Sequence, residues 1–117
     1  LFDDRVFFEF RLARVRVEAM PILRSLVALI RAHPEYSVIH VEGHADEIGA
    51  PQWNQKLSEA RAANVQKLLI SLGVPAKRIR VKGYGQTKPW VQGSDESTRG
   101  KNRRVEFRIE RHGEVKP

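Results

Sequence analysis

The stretch VEGHADEIGAPQWNQKLSEARA, Val41–Ala62, contains the change from a β-strand to a long helix. Alternating apolar and polar residues from Tyr36 to His44 predict the strand. Glycine, alanine and proline at positions 49–51 predict the turn in which the helix begins, because proline is favoured in a first helical turn. The helix is expected to run to about Leu72, since Gly73 is a typical C-terminal stop.

On either side of this stretch, the sequence predicts one more long helix and three more strands. Apolar residues at helical spacing indicate the helix, which runs from about Glu18 to a stop at His33–Pro34. The strands are indicated by β-forming or alternating residues at Arg5–Phe10, Lys77–Gly85 and Arg103–Ile109. The segment 87–101 is predicted to be a loop with a short helical turn near 95–98.

The predicted element order is β-α-β-α-β-β. Right-handed crossovers place both long helices on one face of the sheet. The fold class is therefore expected to be α/β (α+β): a two-layer sandwich in which a mixed four-stranded sheet carries two long helices on one face. The chain is expected to be a single domain over residues 1–117, with a core at about 6–110 and flexible termini.

Composition leaves several classes of function open. The 117 residues have an ordinary globular content of 41% hydrophobic and 30% charged residues, and no cysteine for disulfides or thiolate metal sites. No apolar run approaches the roughly 20 residues that cross a bilayer, and no signal peptide is recognisable. Because the sequence begins at Leu1 rather than at methionine, it is expected to be a fragment whose targeting segment lies upstream.

The net charge of +7 is concentrated in the second half, where residues 61–117 carry 14 basic and 5 acidic side chains. This imbalance favours an anionic partner, such as nucleic acid, an anionic membrane surface or a carboxylate-rich polymer. A solvated basic surface without any partner is an equally good interpretation.

The second long helix places a charge on its apolar side. Its apolar stripe is predicted to be Leu57, Val65, Leu68 and Leu72. Arg61 lies on the same line, and Asn54 extends the line toward the N-terminus. An unpaired charge in a dry interior costs at least several kcal/mol, so the arginine needs a partner or an opening to water.

Asp46 is the obvious partner, since it follows the preceding strand at the edge where open α/β sheets tend to bind ligands. One interpretation is a structural salt bridge between Asp46 and Arg61. The other is a grip on a zwitterion, in which the guanidinium binds a carboxylate through two hydrogen bonds and Asp46 accepts from an ammonium. The residues alone do not decide between these two interpretations.

Other chemistries fit the sequence less well. His40, Glu42 and His44 share a strand face, but alternate side chains on a strand are nearly 7 Å apart, so a polar surface is favoured over a metal site. Asp46 and Glu47 are adjacent carboxylates that should point apart, and Ser58 lacks a His–Asp relay. The GYG at 83–85 lacks the rest of a dinucleotide fingerprint, and Tyr84 and Trp90 are too few for a nucleic-acid stacking platform.

Three motifs in order, GHADEIGAPQWNQKLSEARA, GYGQTKPW and NRRVEF, resemble the OmpA C-terminal-like peptidoglycan-binding domain. The run VEGHADE resembles its peptidoglycan-associated lipoprotein (Pal) branch in particular, and the resemblance covers about Val6 to Ile109. It implies non-catalytic binding of peptidoglycan through the meso-diaminopimelate of the peptide stem, without cofactor or metal. It also implies that Asp46 takes the ammonium of the diaminopimelate and that Arg61 takes its carboxylate.

The resemblance implies the remaining pocket residues as well. Asn54 and Leu57 match positions that line the pocket, and Ala45 and Gly49 are expected beside them. The expected pocket rim is Phe10, Arg11 and Arg103. Two departures are notable, since many relatives have threonine at position 45 and aspartate or asparagine at position 11. From strand parity, Arg103 is expected by the pocket and Arg104 on the outer sheet face.

The resemblance further implies a periplasmic, peptidoglycan-associated location, with the parent protein attached to the outer membrane. The competing interpretation is a protein-interaction module that uses the basic sheet face at Lys82, Arg104 and Arg108. Its partner would be a periplasmic protein such as a TolB-like β-propeller. Neither interpretation involves nucleic acid or a membrane-spanning segment in this chain.

Overall fold

The computed structural model describes residue 2 and residues 4–111. The secondary-structure elements in chain order are β1 Val6–Phe7, α1 Met20–Ala32, β2 Tyr36–Gly43, α2 Pro51–Ser71, β3 Ile79–Gly83, α3 Glu96–Asn102 and β4 Arg104–Arg111. Single 3-10 turns precede α1 and β3, at Val17–Ala19 and Ala76–Arg78. The flexibility expected at the termini falls mainly on residues 1, 3 and 112–117, which lie outside this description.

The four strands form one mixed sheet in the order β1-β4-β2-β3. β2 pairs in parallel with β3, whereas β4 is antiparallel to both β2 and β1. Side chains from α1, α2 and the inner face of the sheet form one hydrophobic core. The predicted two-layer α+β sandwich with a mixed four-stranded sheet is therefore confirmed.

β1, β3 and α3 differ most from their predicted extents. β3 is Ile79–Gly83 instead of Lys77–Gly85, because Lys77 and Arg78 belong to the 3-10 turn before it. β1 pairs only at Val6–Phe7 instead of Arg5–Phe10, because the chain turns at Phe10 and Arg11, where Arg11 takes a left-handed φ of 61°. α3 is a seven-residue helix where only a helical turn was predicted. Its N-terminus is stabilised by Asp95, whose Oδ1 accepts from the Thr98 backbone N–H at 2.7 Å.

α2 lies directly against the ends of the two parallel strands. The contact is made at Gly43 and Gly83, which face each other across the ladder. A Cβ on Gly43 would lie 2.0 Å from the Ser58 carbonyl oxygen, and one on Gly83 would lie 2.5 Å from the Ser58 Oγ. The two glycines therefore let helix backbone touch sheet backbone, which fixes the first half of α2 beside the loop that follows β2.

This contact changes which side of α2 is buried. The fully buried positions are Asn54, Ser58, Arg61, Ala62, Val65 and Leu69. The predicted stripe is right in part: Val65 is fully buried, Leu68 and Leu72 are half-buried and pack against the core, and Leu57 is half-buried. Small residues at 58 and 62 occupy the line of closest approach, so the buried line is rotated by about one position. The prediction that Arg61 and Asn54 lie on the buried side is confirmed.

Candidate functional site

The loop after β2 carries Asp46 into the edge of the core. Its backbone is held on both sides, since the His44 N–H donates to the Arg104 carbonyl at 2.8 Å and the Ala45 N–H donates to the Gly85 carbonyl at 2.8 Å. Asp46 is only 5% exposed. Its Oδ1 accepts from the Ile48 backbone N–H at 3.0 Å, which orients the carboxylate.

The second carboxylate oxygen of Asp46 faces Arg103. Arg103 Nη1 lies 3.3 Å from Asp46 Oδ2, and its Nη2 lies 2.8 Å from Glu96 Oε2 on α3. The Arg103 Nε also donates to the Phe8 carbonyl at 2.9 Å. Burial opposes the charge on this guanidinium, but the Glu96 and Asp46 carboxylates outweigh it and raise the pKa of Arg103. Arg103 is thus a buried cation with two carboxylate partners.

Arg61 is a buried cation of a different kind, with 1% of its surface exposed. Its three guanidinium nitrogens donate to backbone carbonyls: Nε to Leu12 at 2.8 Å, Nη1 to His44 at 3.0 Å and Nη2 to Glu9 at 3.2 Å. The guanidinium carbon also lies 5.2 Å from the centroid of the Phe8 ring. Burial lowers the pKa of Arg61 to about 10, with Asp46 opposing the shift and Arg103 adding to it.

The structural salt bridge between Asp46 and Arg61, one of the two interpretations of the sequence, is not formed. Within the described part of the chain, the ion pair of Asp46 is with Arg103, and Arg61 has only neutral carbonyls as hydrogen-bond partners. Asp46 still acts on Arg61 at longer range, because it opposes the fall in the pKa of the guanidinium. The two residues lie in one electrostatic site without touching.

Asn54 links the two loops beside Asp46. Its side chain is 1% exposed, and its Nδ2 donates to the Asp46 carbonyl at 3.3 Å and to Gln86 Oε1 at 2.6 Å. Gly49 precedes α2 with a left-handed φ of 100°, and a Cβ there would lie 3.6 Å from Asn54 Oδ1. Ala45 is buried next to Asp46, and Leu57 is half-buried one turn before Arg61.

The predicted rim residues lie in two places. Phe10 and Arg11 are exposed at the tip of the loop whose carbonyls Arg61 holds, and the Arg11 guanidinium lies 5.2 Å from the Phe10 ring centroid. Arg103 lies on the other side of Asp46, against α3. The loop is held a second time by Asn64, whose Nδ2 donates to the Ala13 carbonyl at 2.8 Å. That these residues contact a ligand stays a prediction.

An open depression of about 310 Å³ adjoins Asp46, and Arg61 is not part of its lining. It is lined by Ala45, Asp46, Glu47, Gln86, Pro89, Val91, Gln92, Gly93, Ser94 and Asn102. Sequence analysis missed this wall of the site, as well as the ion pair in which Arg99 on α3 lies 3.0 Å from Glu47. The sequence signal for the ion pair was the order of charges along residues 95–103, in which acidic residues at 95 and 96 are followed by basic residues at 99, 101 and 103.

The outer sheet face differs from expectation at Arg104, which lies there but is only 3% exposed. Its Nε donates to Glu106 Oε2 at 2.7 Å, and its Nη2 donates to the Lys88 carbonyl at 3.0 Å, so the loop beyond β3 covers it. His40 on this face lies 3.2 Å from Glu110. Across residues 2 and 4–111, no three His, Asp or Glu side chains are grouped to hold a metal ion.

Ser58, the candidate nucleophile weighed above, is wholly buried. Its Oγ donates to the Gln55 carbonyl at 2.8 Å and accepts from the Gly85 backbone N–H at 2.9 Å. The first bond lies within α2 and the second joins α2 to the turn after β3, so the hydroxyl has a structural role. No helix in the described part of the chain combines the length and apolarity of a membrane span.

Comparison with known proteins places this geometry in a family. Residues 7–103 match the OmpA family. The chain is 38% identical over 102 residues to the peptidoglycan-associated lipoprotein of Agrobacterium fabrum, covering 87% of this chain and 57% of that protein. It is 37% identical over 115 residues to the photosystem I P700 chlorophyll a apoprotein A2 of Gloeobacter violaceus, covering 93% of this chain but 13% of that protein.

The crystal structure of the peptidoglycan-associated lipoprotein from Burkholderia pseudomallei superposes with a TM-score of 0.86 at 28% identity. The match covers 91% of this chain and 89% of that one, so the whole architecture is shared. The family match and these relatives agree with the three motifs and with the fold. The chain is therefore a member of the OmpA family, and peptidoglycan-associated lipoproteins are among its relatives.

Proposed function

We propose that this domain binds peptidoglycan non-covalently through the meso-diaminopimelate of the peptide stem, and so anchors its parent protein to the cell wall. The observation that carries the proposal is the state of Arg61. This buried guanidinium is hydrogen-bonded only to neutral carbonyls and lies near, but not against, the Asp46 carboxylate. A ligand carboxylate would supply the counter-charge that the protein does not place there.

Asp46 has the complementary capacity for an ammonium. An ionised carboxylate offers about four acceptor positions. Asp46 uses one for the Ile48 N–H and one for Arg103, the latter at a long 3.3 Å. An ammonium can therefore join the carboxylate without displacing its existing donors. The free end of a diaminopimelate side chain carries both an ammonium and a carboxylate, which matches Asp46 and Arg61 together.

Access to Arg61 requires a movement of the loop at Glu9–Leu12. Because the guanidinium is 1% exposed, a ligand carboxylate reaches it only when it replaces one of the loop carbonyls as acceptor. The tip of this loop is exposed, and Arg11 there holds a left-handed backbone conformation that costs an ordinary residue roughly 1 kcal/mol. A strained, exposed tip is suited to such an exchange.

The relatives support the proposal by their names, since the matched proteins from Agrobacterium fabrum and Burkholderia pseudomallei are both called peptidoglycan-associated lipoproteins. On the basis of this likeness we propose that the domain lies in the periplasm and is a binding module rather than an enzyme. We also expect the parent protein to be attached to the outer membrane. The site residues of the proposal are Asp46, Arg61, Asn54, Leu57, Ala45 and Gly49, with Phe10, Arg11 and Arg103 at the rim.

Sedimentation with purified cell-wall sacculi tests this function. The parent domain should pellet with diaminopimelate-containing sacculi, and Asp46→Ala and Arg61→Ala should remain in the supernatant while retaining a folded circular-dichroism spectrum. Arg108→Glu is the matched control, because Arg108 is exposed on the outer sheet face and contacts Glu42. Equal pelleting of all four proteins, or equal binding to wall material with lysine in place of diaminopimelate, would contradict the proposal.

A second candidate function is docking of a periplasmic protein on the outer sheet face. This face carries an open depression of about 460 Å³ that is lined largely by charged and polar side chains, among them Glu42, Arg80, Lys82, Tyr84 and Arg108. A partner such as a TolB-like β-propeller would meet these side chains. A Lys82→Glu protein that loses such a partner in a pull-down but still binds sacculi would support this function, and loss of neither would oppose it.

A further inference from the structure

We propose that the open depression beside Asp46 is a second ligand subsite. It takes an uncharged group that carries an amide and a methyl. This group is the neighbour of diaminopimelate in the cell-wall polymer. This inference rests on the proposed function and extends it. The depression holds about 310 Å³ and shares Asp46 with the diaminopimelate site. A ligand held at Asp46 therefore has its neighbouring chemical group directly at the mouth of the depression.

The charges that line the depression are already compensated. Asp46 is paired with Arg103, and Glu47 accepts both of its carboxylate bonds from Arg99 Nε, at 3.2 and 3.0 Å. Apart from the Asp46 carboxylate, which takes the diaminopimelate ammonium, the depression thus presents no uncompensated charge to a ligand. A charged group would gain little there and would lose its hydration, so an uncharged ligand group is favoured.

The remaining lining is suited to an amide beside a small apolar group. Pro89 and Val91 supply apolar surface, while Gln86, Gln92 and Ser94 supply amide and hydroxyl groups. The Oε1 of Gln86 already accepts from Asn54 Nδ2 at 2.6 Å, which leaves the Gln86 amide nitrogen to donate to a ligand carbonyl.

The loop that forms this wall is held in place before any ligand arrives. Asn102, which is 4% exposed, accepts from the Trp90 and Val91 backbone N–H groups at 2.8 and 3.0 Å and donates to the Val91 carbonyl at 2.8 Å. Arg104 donates to the Lys88 carbonyl at 3.0 Å. Such pre-organisation lowers the entropy cost of binding.

Two parts of a cell-wall polymer carry an amide with a methyl, namely the acetamido group of an N-acetylated amino sugar and an alanyl residue of the stem. The subsite would recognise both groups in the same way. The amide carbonyl and N–H would meet Gln86, Gln92 or Ser94, and the methyl would lie on Val91. The two sources are separated by the ligands chosen for the test.

The test compares three ligands by calorimetry: free meso-diaminopimelate, a sugar-free stem peptide that contains it, and a disaccharide-linked stem peptide. Val91→Asp places a charge in the lining of the depression, and Val17→Asp is the matched control at an exposed position far along the chain. Val91→Asp should bind free diaminopimelate as the parent does, and should bind the larger ligands about tenfold more weakly. Val17→Asp should change none of the three affinities.

The ligands that Val91→Asp binds more weakly identify the group in the subsite. Weaker binding of the sugar-free peptide indicates the alanyl residue. Weaker binding of the disaccharide-linked peptide alone indicates the acetamido group. If Val91→Asp binds all three ligands as the parent does, or weakens all three equally, the subsite is wrong and the diaminopimelate site stands. If the parent protein binds none of the three, the proposed function itself is wrong and this inference falls with it.

Discussion

Arg61 and Arg103 are both buried, both interact electrostatically with Asp46, and differ in what faces them. Arg103 lies against the carboxylates of Asp46 and Glu96, and its pKa is raised. Arg61 lies against three neutral carbonyls, and its pKa is lowered to about 10. The first arrangement stabilises the folded protein by itself. The second leaves a charge that a ligand can complete, so we infer structure from the first and binding from the second.

The contrast between the two arginines requires α2 to keep its position against the sheet. The substitution with the largest expected effect on stability tests this requirement. Gly43→Ala should lower the free energy of unfolding by more than about 3 kcal/mol, because the new Cβ would meet the Ser58 carbonyl, a backbone atom that cannot move aside alone. Urea denaturation measures the change. Gly100→Ala, whose Cβ would lie 3.6 Å from Arg103 Nη2 in ordinary contact, should cost little, and equal costs would mean that α2 can shift.

Replacing Arg103, the arginine paired with carboxylates, should affect stability more than it affects sacculus binding. Arg103→Met should lower the free energy of unfolding by about 3 kcal/mol, because it leaves the buried Asp46 carboxylate without its cation. Glu96→Gln removes the exposed partner of the same guanidinium and is the milder control. Denaturation and sacculus binding are measured together. An Arg103→Met protein that is fully stable but no longer binds would reverse the roles we give the two arginines.

His44 is a second buried base, whose Nε2 lies 3.8 Å from Glu106 Oε1 without a hydrogen bond between them, and its pKa is shifted into an accessible range. Burial lowers the pKa of His44 to about 4, with Arg104 and Lys88 acting in the same direction and Glu106 opposing them. The unfolded chain therefore binds the extra proton between about pH 4 and the ordinary histidine pKa near 6.5. The free energy of unfolding should rise with pH through this window.

Between pH 5 and pH 7 this rise should contribute about 2 kcal/mol. His44→Phe keeps a ring against Tyr84, which stacks on His44 at 5.4 Å, and removes the titration. The pH dependence of unfolding should become shallower in the variant by that amount, as measured by urea denaturation at several pH values. Identical slopes for both proteins would show that burial does not hold the imidazole neutral.

The unpaired arginine should show the smallest effect on stability and the largest on binding. Arg61→Met keeps most of the volume and removes a desolvated charge, but it leaves three carbonyls without a donor, so the net loss should be about 1–2 kcal/mol. Sacculus binding should be abolished. A variant that loses more stability than Arg103→Met, or that still binds, would place Arg61 among the structural residues.

Those features of the Arg61 site that depend on local sequence pattern could be predicted from the sequence. The turn before α2, the strand before Asp46 and the placement of Arg61 on the buried side of α2 all follow from periodicity and from proline and glycine positions. The pairing of Asp46 with Arg103 does not, because residue 103 reaches Asp46 only through the position of β4 in the sheet and of α3 beside it.

The rotation of the buried stripe on α2 was unpredictable for a similar reason. Leu57, Leu68 and Leu72 are the more apolar choices by sequence, yet the contact at Gly43 and Gly83 selects the line with small residues. Likewise, nothing local indicates that Gln86 bonds to Asn54 or that Asn102 clasps the loop at Trp90 and Val91. The first depends on segments far apart in sequence, and the second on how the loop at residues 86–94 folds back onto the end of α3.

The glycine contact also bears on how such a domain can diverge. Because α2 rests on strand backbone at Gly43 and Gly83, its position and the direction of Arg61 are difficult to alter by single substitutions. The two loops that flank the site, residues 9–13 and 86–94, are fixed instead by a few side-chain hydrogen bonds from Arg61, Asn64 and Asn102. Change in ligand preference should therefore accumulate in these loops, while the charged centre between them is inherited unchanged.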